Sequence, residues 1–415
     1  MKSNSIFLRM VAMAVMLGLA SCDLFNGGDT PDPEPVDDHL VSYENVNSAT
    51  VQMIKPAFQA LEGQYSELAG ISSEVKYGVW VYKVRYTTTY EGKDVEASGL
   101  VAVPMGSGAF PLLSFQNGTN TLHAKAPTAN IDDNLFRVLQ LVASTGFVVT
   151  LPDYLGFGAA SGMYHPYLHK ESTILSVTDL HRATRELLIK LGKNSLAKET
   201  YLMGYSQGGW ATMALKQAME TTLSGEYTLK ASSCGAGPYN LTAICSHILG
   251  LPTYPMPYFL AYMINSYIRS GEVTLTYADI FNQPYTGEGY ISSLFDGTHE
   301  GDYINSKLST SVPTLFKKEF LEQWATGEKY ASLRTALDRN SVKPWKTTTA
   351  TLIIHGIADT FVPATSSEAV YQGFRDAGVA EALVTFDLLP ALGHQEAILP
   401  WGTRSLKWII DQKGD

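Results

Sequence analysis

Residues 204–208 read Gly-Tyr-Ser-Gln-Gly, so Ser206 sits between two glycines spaced for a sharp turn. A serine hydroxyl attacks a carbonyl only when a base takes its proton and a third group holds that base. Downstream, Asp359 follows the apolar run TLIIHG, and His394 follows the run TFDLLP within the loop ALGHQ. The chain order is therefore serine, acid, histidine, each just after a run of strand-forming residues. That order is one of the known ways to assemble a nucleophile, an orienting acid and a base for acyl transfer. The reaction develops an oxyanion, which needs N–H donors aimed at it. The expected donors are the backbone N–H groups of Gln207, directly after the nucleophile, and Thr119, in the Asn117-Gly118-Thr119 loop, with Gly118 as the alternative.

Other polar residues compete for these roles. Asp153 also follows a strand-like run and could orient a histidine, although fixing its own loop accounts for it better. His355 lies so close to a strand end that packing or a backbone hydrogen bond explains it. His165 and His169 flank Pro-Tyr-Leu and are expected to anchor that loop. Asn117 could offer its side-chain amide to the site or cap a turn.

The elements that must carry these residues alternate. Apolar runs at 111–116, 147–152, 198–206, 227–237, 349–356 and 382–390 read as buried strands. Helical spacing fills 132–145, 171–191, 207–220, 363–378 and 394–412. Two earlier stretches, 77–90 and 94–104, alternate in part and carry β-branched and aromatic residues. Alternating strands and helices predict an α/β fold, a mostly parallel sheet with helices on both faces, whose site lies at the carboxyl ends of the strands.

The alternation fails between Pro238 and Pro344. This block is rich in proline and aromatic residues, and it predicts a lid inserted at 238–344 between core segments 41–237 and 345–415. Tyr254, Tyr258 and Phe259 in the block, with Tyr205 and Asn117 in the core, are the candidates for contacting substrate; the block's aromatics would equally serve as the lid's own core.

The first residues point to export. A short basic segment is followed by the apolar run MVAMAVMLGLA, whose end leads into Leu-Ala-Ser-Cys at 19–22. The run is too short for a membrane span. It resembles a bacterial lipoprotein signal over 1–21, which implies cleavage before Cys22, lipid on its thiol and an outer-membrane location. Residues 22–40, acidic and rich in proline and glycine, cannot bury enough apolar surface to fold and read as a tether. The remaining cysteines, Cys234 and Cys245, are either paired or free and buried. No Cys/His spacing of a metal site occurs. The net charge of −10 argues against a nucleic-acid partner.

Together, PDYLGFG, HPYLH, GYSQGG, HGIADTFVP and GHQEA resemble the secretory-lipase-like branch of the α/β-hydrolases, in particular the LipA-type secreted esterases of plant-associated bacteria. The resemblance runs from about residue 75 to the C-terminus and is weak through the insertion. It implies an α/β-hydrolase core, a lid ahead of the acid-bearing strand, ester hydrolysis without metal or organic cofactor, and catalytic roles for Ser206, Asp359 and His394. One departure is Asn117, where many members have histidine before Gly-Thr. Small-molecule or glycan-linked esters, including acetyl and feruloyl polysaccharide esters, are the expected substrates. A prolyl-type peptidase and a non-catalytic ligand-binding lipoprotein are the competing classes.

Overall fold

The computed structural model describes residues 38–414 apart from Lys193 and Glu288. The leader at 1–21, Cys22 and nearly all of the acidic segment lie outside the described residues.

One nine-stranded sheet runs through the body, in the order β1-β2-β3-β5-β4-β6-β7-β8-β9. β1 (Leu40–Ala49), β2 (Val79–Tyr90) and β3 (Lys93–Pro104) form an antiparallel edge. β3 also pairs antiparallel with β5 (Val148–Pro152). From there the pairing is parallel, through β4 (Gly108–Gln116), β6 (Asn194–Tyr205), β7 (Thr228–Gly235), β8 (Ala350–Gly356) and β9 (Val384–Leu389). β5 is buried along its whole length, as expected for a strand covered on both faces.

Helices cover the two faces. α1 (Val51–Gln64), α2 (Asn134–Val142) and, at the C-terminal end, Ile398–Lys413 enclose one apolar layer that includes Phe58, Phe147, Leu352 and Trp401. α3 (Lys170–Leu191) and α4 (Gln207–Glu220) lie across the other face. Twelve of the fourteen residues of α4 are buried, so this helix is wrapped on nearly every side.

β1 had no counterpart among the expected strands. Its burial pattern is mostly exposed, because it is an edge strand with only Leu40 turned fully inward. Leu40, the last residue of the expected tether, is anchored: its N–H donates to Glu186 of α3 at 2.6 Å, and the His39 N–H donates to the same carboxylate.

Between β7 and β8 the described residues form helices only. The longest are α5 (Leu241–Leu249), α6 (Pro257–Arg269) and α7 (Ala331–Asn340), joined by pieces of four to six residues. Phe281, Phe316, Tyr267 and Tyr330 are fully buried within this block, which merges with the outer side of α4 into one apolar cluster. α8 (Thr365–Asp376) and α9 (Ile398–Lys413) complete the alternation.

Candidate active site

Ser206 stands at the corner between β6 and α4 with φ 60° and ψ −122°. This backbone conformation is strained for a residue with a side chain and is kept only where the surroundings impose it. Two contacts impose it here. The Ser206 N–H donates to the Gly235 carbonyl at 2.8 Å, tying the corner to β7. On the other side, a Cβ on Gly208 would lie 1.9 Å from the Gln116 carbonyl oxygen, so only glycine lets α4 start this close to the end of β4.

Three expected residues converge. His394 Nδ1 lies 2.6 Å from Asp359 Oδ2, and its Nε2 lies 2.9 Å from Ser206 Oγ. A carboxylate can only accept, so Nδ1 carries the proton and Nε2 is left to accept from the serine hydroxyl. His394 itself is gripped: the Tyr205 hydroxyl donates to its carbonyl at 2.7 Å, and the Tyr205 and Phe361 rings pack beside its imidazole at 5.2 and 5.3 Å.

Asp359 is buried and fully engaged. Its Oδ1 accepts from the N–H groups of Phe361 and Val362 at 2.8 and 2.9 Å. His355 Nε2–H donates to Oδ2 at 3.2 Å, shared with the Val362 carbonyl at 2.9 Å, while His355 Nδ1 accepts from the Ser367 hydroxyl at 2.7 Å. Burial pushes the Asp359 carboxyl up, but the hydrogen bonds from His355, His394 and the Val362 N–H outweigh it and hold the group down at about 2. His355 thus bonds the backbone as expected and, beyond that expectation, also braces the acid.

The Asn117-Gly118-Thr119 loop packs on the first turn of α4, where backbone N–H groups have no partner within the helix. Gln207 is the first residue of that helix. Thr119 Oγ1 is within 2.8 Å of the Tyr167 hydroxyl, which fixes the loop. The Asn117 amide donates to the Pro152 carbonyl at 2.8 Å, and its side chain braces the loop from behind.

Asp153 is not part of the cluster. Its carboxylate accepts from the hydroxyls of Ser98 and Thr128, each at 2.5 Å, and from the Thr128 N–H at 2.8 Å. His165 Nδ1–H donates to the Leu155 carbonyl at 2.6 Å, and its Nε2 accepts from the Gln207 side chain at 2.9 Å. Burial pulls this imidazole down to about 4 against the backbone bond, so it stays neutral. His169 caps α3 through Ser172. Cys234 and Cys245 are free and buried, and burial pushes both thiols up to about 12.

Ser206 opens on a cleft of about 550 Å³ whose wall includes Thr119, Tyr205, Tyr258, Phe259 and His394. Tyr254 lines a second, much smaller cavity behind Phe259 and donates its hydroxyl to the Phe361 carbonyl at 2.9 Å. Several wall residues had no mark in the sequence: Leu61 and Tyr65 from α1 with its following turn, Leu135 and Val138 from α2, Phe361, and Leu399 from α9. Only the apolar periodicity of α2 and α9 hinted at their inward faces.

The family model described as secretory lipase matches residues 121–413. No curated protein matches the chain in sequence. Among solved structures, a Legionella pneumophila protein with 24% identity superposes with a TM-score of 0.78, covering 90% of this chain and 98% of its own. The rice cell wall degrading esterase LipA of Xanthomonas oryzae is 27% identical, with a TM-score of 0.74 over 91% of this chain and 97% of its own. Candida antarctica lipase A in its closed state is 15% identical, with a TM-score of 0.63 over 91% and 83%.

Proposed function

Since the chain belongs to the secretory lipase family and has the α/β-hydrolase fold, we propose that it is a serine carboxylic-ester hydrolase working through Ser206, His394 and Asp359. The observation that carries this reading is the unbroken run of contacts, 2.6 Å from Asp359 to His394 and 2.9 Å on to Ser206, at the wall of an apolar cleft.

His394 takes the Ser206 proton as Oγ attacks the ester carbonyl. The tetrahedral oxyanion rests on the N–H groups of Gln207 and Thr119. His394 then gives the proton to the leaving alcohol, and an acyl group remains on Ser206. Water, activated by the same imidazole, releases the acid. Asp359 keeps His394 in the tautomer that can accept from serine.

The cleft wall favours an apolar ester over a sugar backbone. Leu61, Leu68, Val138, Leu139, Met203 and Leu406 offer no hydrogen bonds to a polysaccharide. Hydrolysis of p-nitrophenyl acetate through palmitate and of a feruloyl ester by the purified protein, beside Ser206→Ala, tests the reading. Turnover lost in the variant supports it. A fluorophosphonate that leaves folded wild-type protein unlabelled would favour a ligand-binding role.

Membership of a secretory family fits an exported enzyme. We further propose that Cys22 carries lipid and that the acidic segment tethers the body to the outer membrane. No helix among the described residues is long and apolar enough to cross a membrane. Cys22→Ser should move the protein from the detergent phase to the aqueous phase on Triton X-114 partition; unchanged partition would remove the anchor.

A further inference from the structure

Two unequal cavities meet at Ser206. The larger, about 550 Å³, is reached from solvent past Leu135 and Leu399, which are 44% and 50% exposed. The smaller, about 40 Å³, is lined on the insertion side by Leu241, Ile244, Ile248, Leu260 and Met263. Phe259 and Phe361 border both and partition them.

The reaction assigns the two halves of an ester to the two sides. When the tetrahedral intermediate collapses, the carbon–oxygen bond to the alcohol breaks and the departing oxygen takes the proton held on His394 Nε2. The alcohol must therefore lie on the side that His394 faces. His394 and the Thr119 loop line the large cleft and not the small cavity. The acyl substituent, pointing away from the base, is left with the small one. The space on that side is less than a tenth of the space in the large cleft, about 40 Å³ against about 550 Å³.

We propose that the preferred substrates join a short acyl group to a large apolar alcohol. The proposal rests on the hydrolase reading of the site and adds its selectivity. Each turnover consumes one water and yields a short carboxylic acid and the free alcohol. The large cleft rewards length on the alcohol side, because each further methylene buried there leaves water. On the acyl side, a long chain must displace lining residues such as Leu260 or Met263.

The test is two ester series on the purified protein. With 2-naphthol as the alcohol, kcat/KM is expected to fall at least about tenfold between butyrate and octanoate. With acetate as the acid, it is expected to rise at least about tenfold from ethyl to decyl acetate, where the alkanol leaving groups are chemically alike. Equal or faster Ser206-dependent hydrolysis of the octanoate overturns the proposal and leaves the hydrolase reading standing. No Ser206-dependent hydrolysis of any ester overturns both. Met263→Ala deepens the small cavity and should move the acyl optimum toward hexanoate or octanoate. A folded Met263→Ala protein with the wild-type acyl preference would show that the acyl group lies elsewhere. If that variant does not fold, the two wild-type series still decide.

Discussion

Asp153 and Asp359 occupy comparable places: each follows a parallel strand of the same sheet, is buried, and has its carboxylate filled with hydrogen bonds. Their surroundings send them opposite ways. Asp359 receives backbone N–H groups and two imidazoles, and it is held at about 2. Asp153 receives two neutral hydroxyls and one N–H, which fail to offset burial, and its carboxyl is pushed up to about 6. The loop behind Asp153 is also the more contorted, with Tyr154 at φ 69° and Gly158 at φ 55°. A Cβ on Gly158 would lie 2.0 Å from the Asp153 carboxylate, so loop and acid are fitted to each other. A buried aspartate paired with a histidine stores charge for a reaction. One ringed by hydroxyls holds a loop.

The widest separation is in turnover. Asp359→Asn should lower kcat by about 10⁴-fold through the wrong tautomer of His394 while the protein still folds. Asp153→Asn should cost less than about tenfold. The reverse ranking in p-nitrophenyl butyrate assays would exchange their roles.

Stability separates them next. Asp153→Ala leaves the Thr128 N–H and two hydroxyls without their acceptor, at a cost of about 3 kcal/mol read from urea unfolding. A loss below about 0.5 kcal/mol would mean the loop does not depend on the carboxylate.

The two carboxyls also tilt stability against pH with opposite signs. Asp153 is raised on folding from 3.8 to about 6, so the native state keeps its proton where the unfolded chain has lost it. Its contribution is greatest below about pH 4 and declines by about 3 kcal/mol as pH rises through 6. Asp359 is lowered from 3.8 to about 2, so its contribution is present above about pH 4 and is lost as pH falls through 2. Unfolding of wild type and Asp153→Asn at pH 4.5 and 7.5 isolates the first effect. The difference between them must shift toward the variant at the higher pH; a constant difference would contradict a raised Asp153.

The smallest effect concerns His355. Replacing it with phenylalanine removes one hydrogen bond to the Asp359 carboxylate, and kcat should fall about tenfold with KM unmoved. A change confined to KM would place His355 with the substrate instead.

From sequence, these two aspartates looked alike, since each is an acid just past a strand. Chain order alone favoured Asp359, because it comes after Ser206 and before His394. The corner at Ser206 was legible for a different reason: glycine spacing, a strand before it and a helical period after it all bear on the same few residues. The edge strand β1 was not, because its polar run Ser42–Asn47 pairs on one side only and needs no apolar alternation. The insertion was visible as a break in rhythm, but apart from the capping box at Thr276 its helices of four to six residues are set by burial of scattered aromatics rather than by a period. The volumes beside Ser206 had no sequence signal at all, since they arise where α1, α2, α6 and α9 happen to leave space.

The corner at Ser206 is held open by β4 on one side and β7 on the other, and its base arrives 188 residues later in the chain. A partly assembled molecule therefore has a serine but no nucleophile. On the proposed mechanism, hydrolysis would report that the sheet is built at least as far as β9, the strand that leads into the His394 loop.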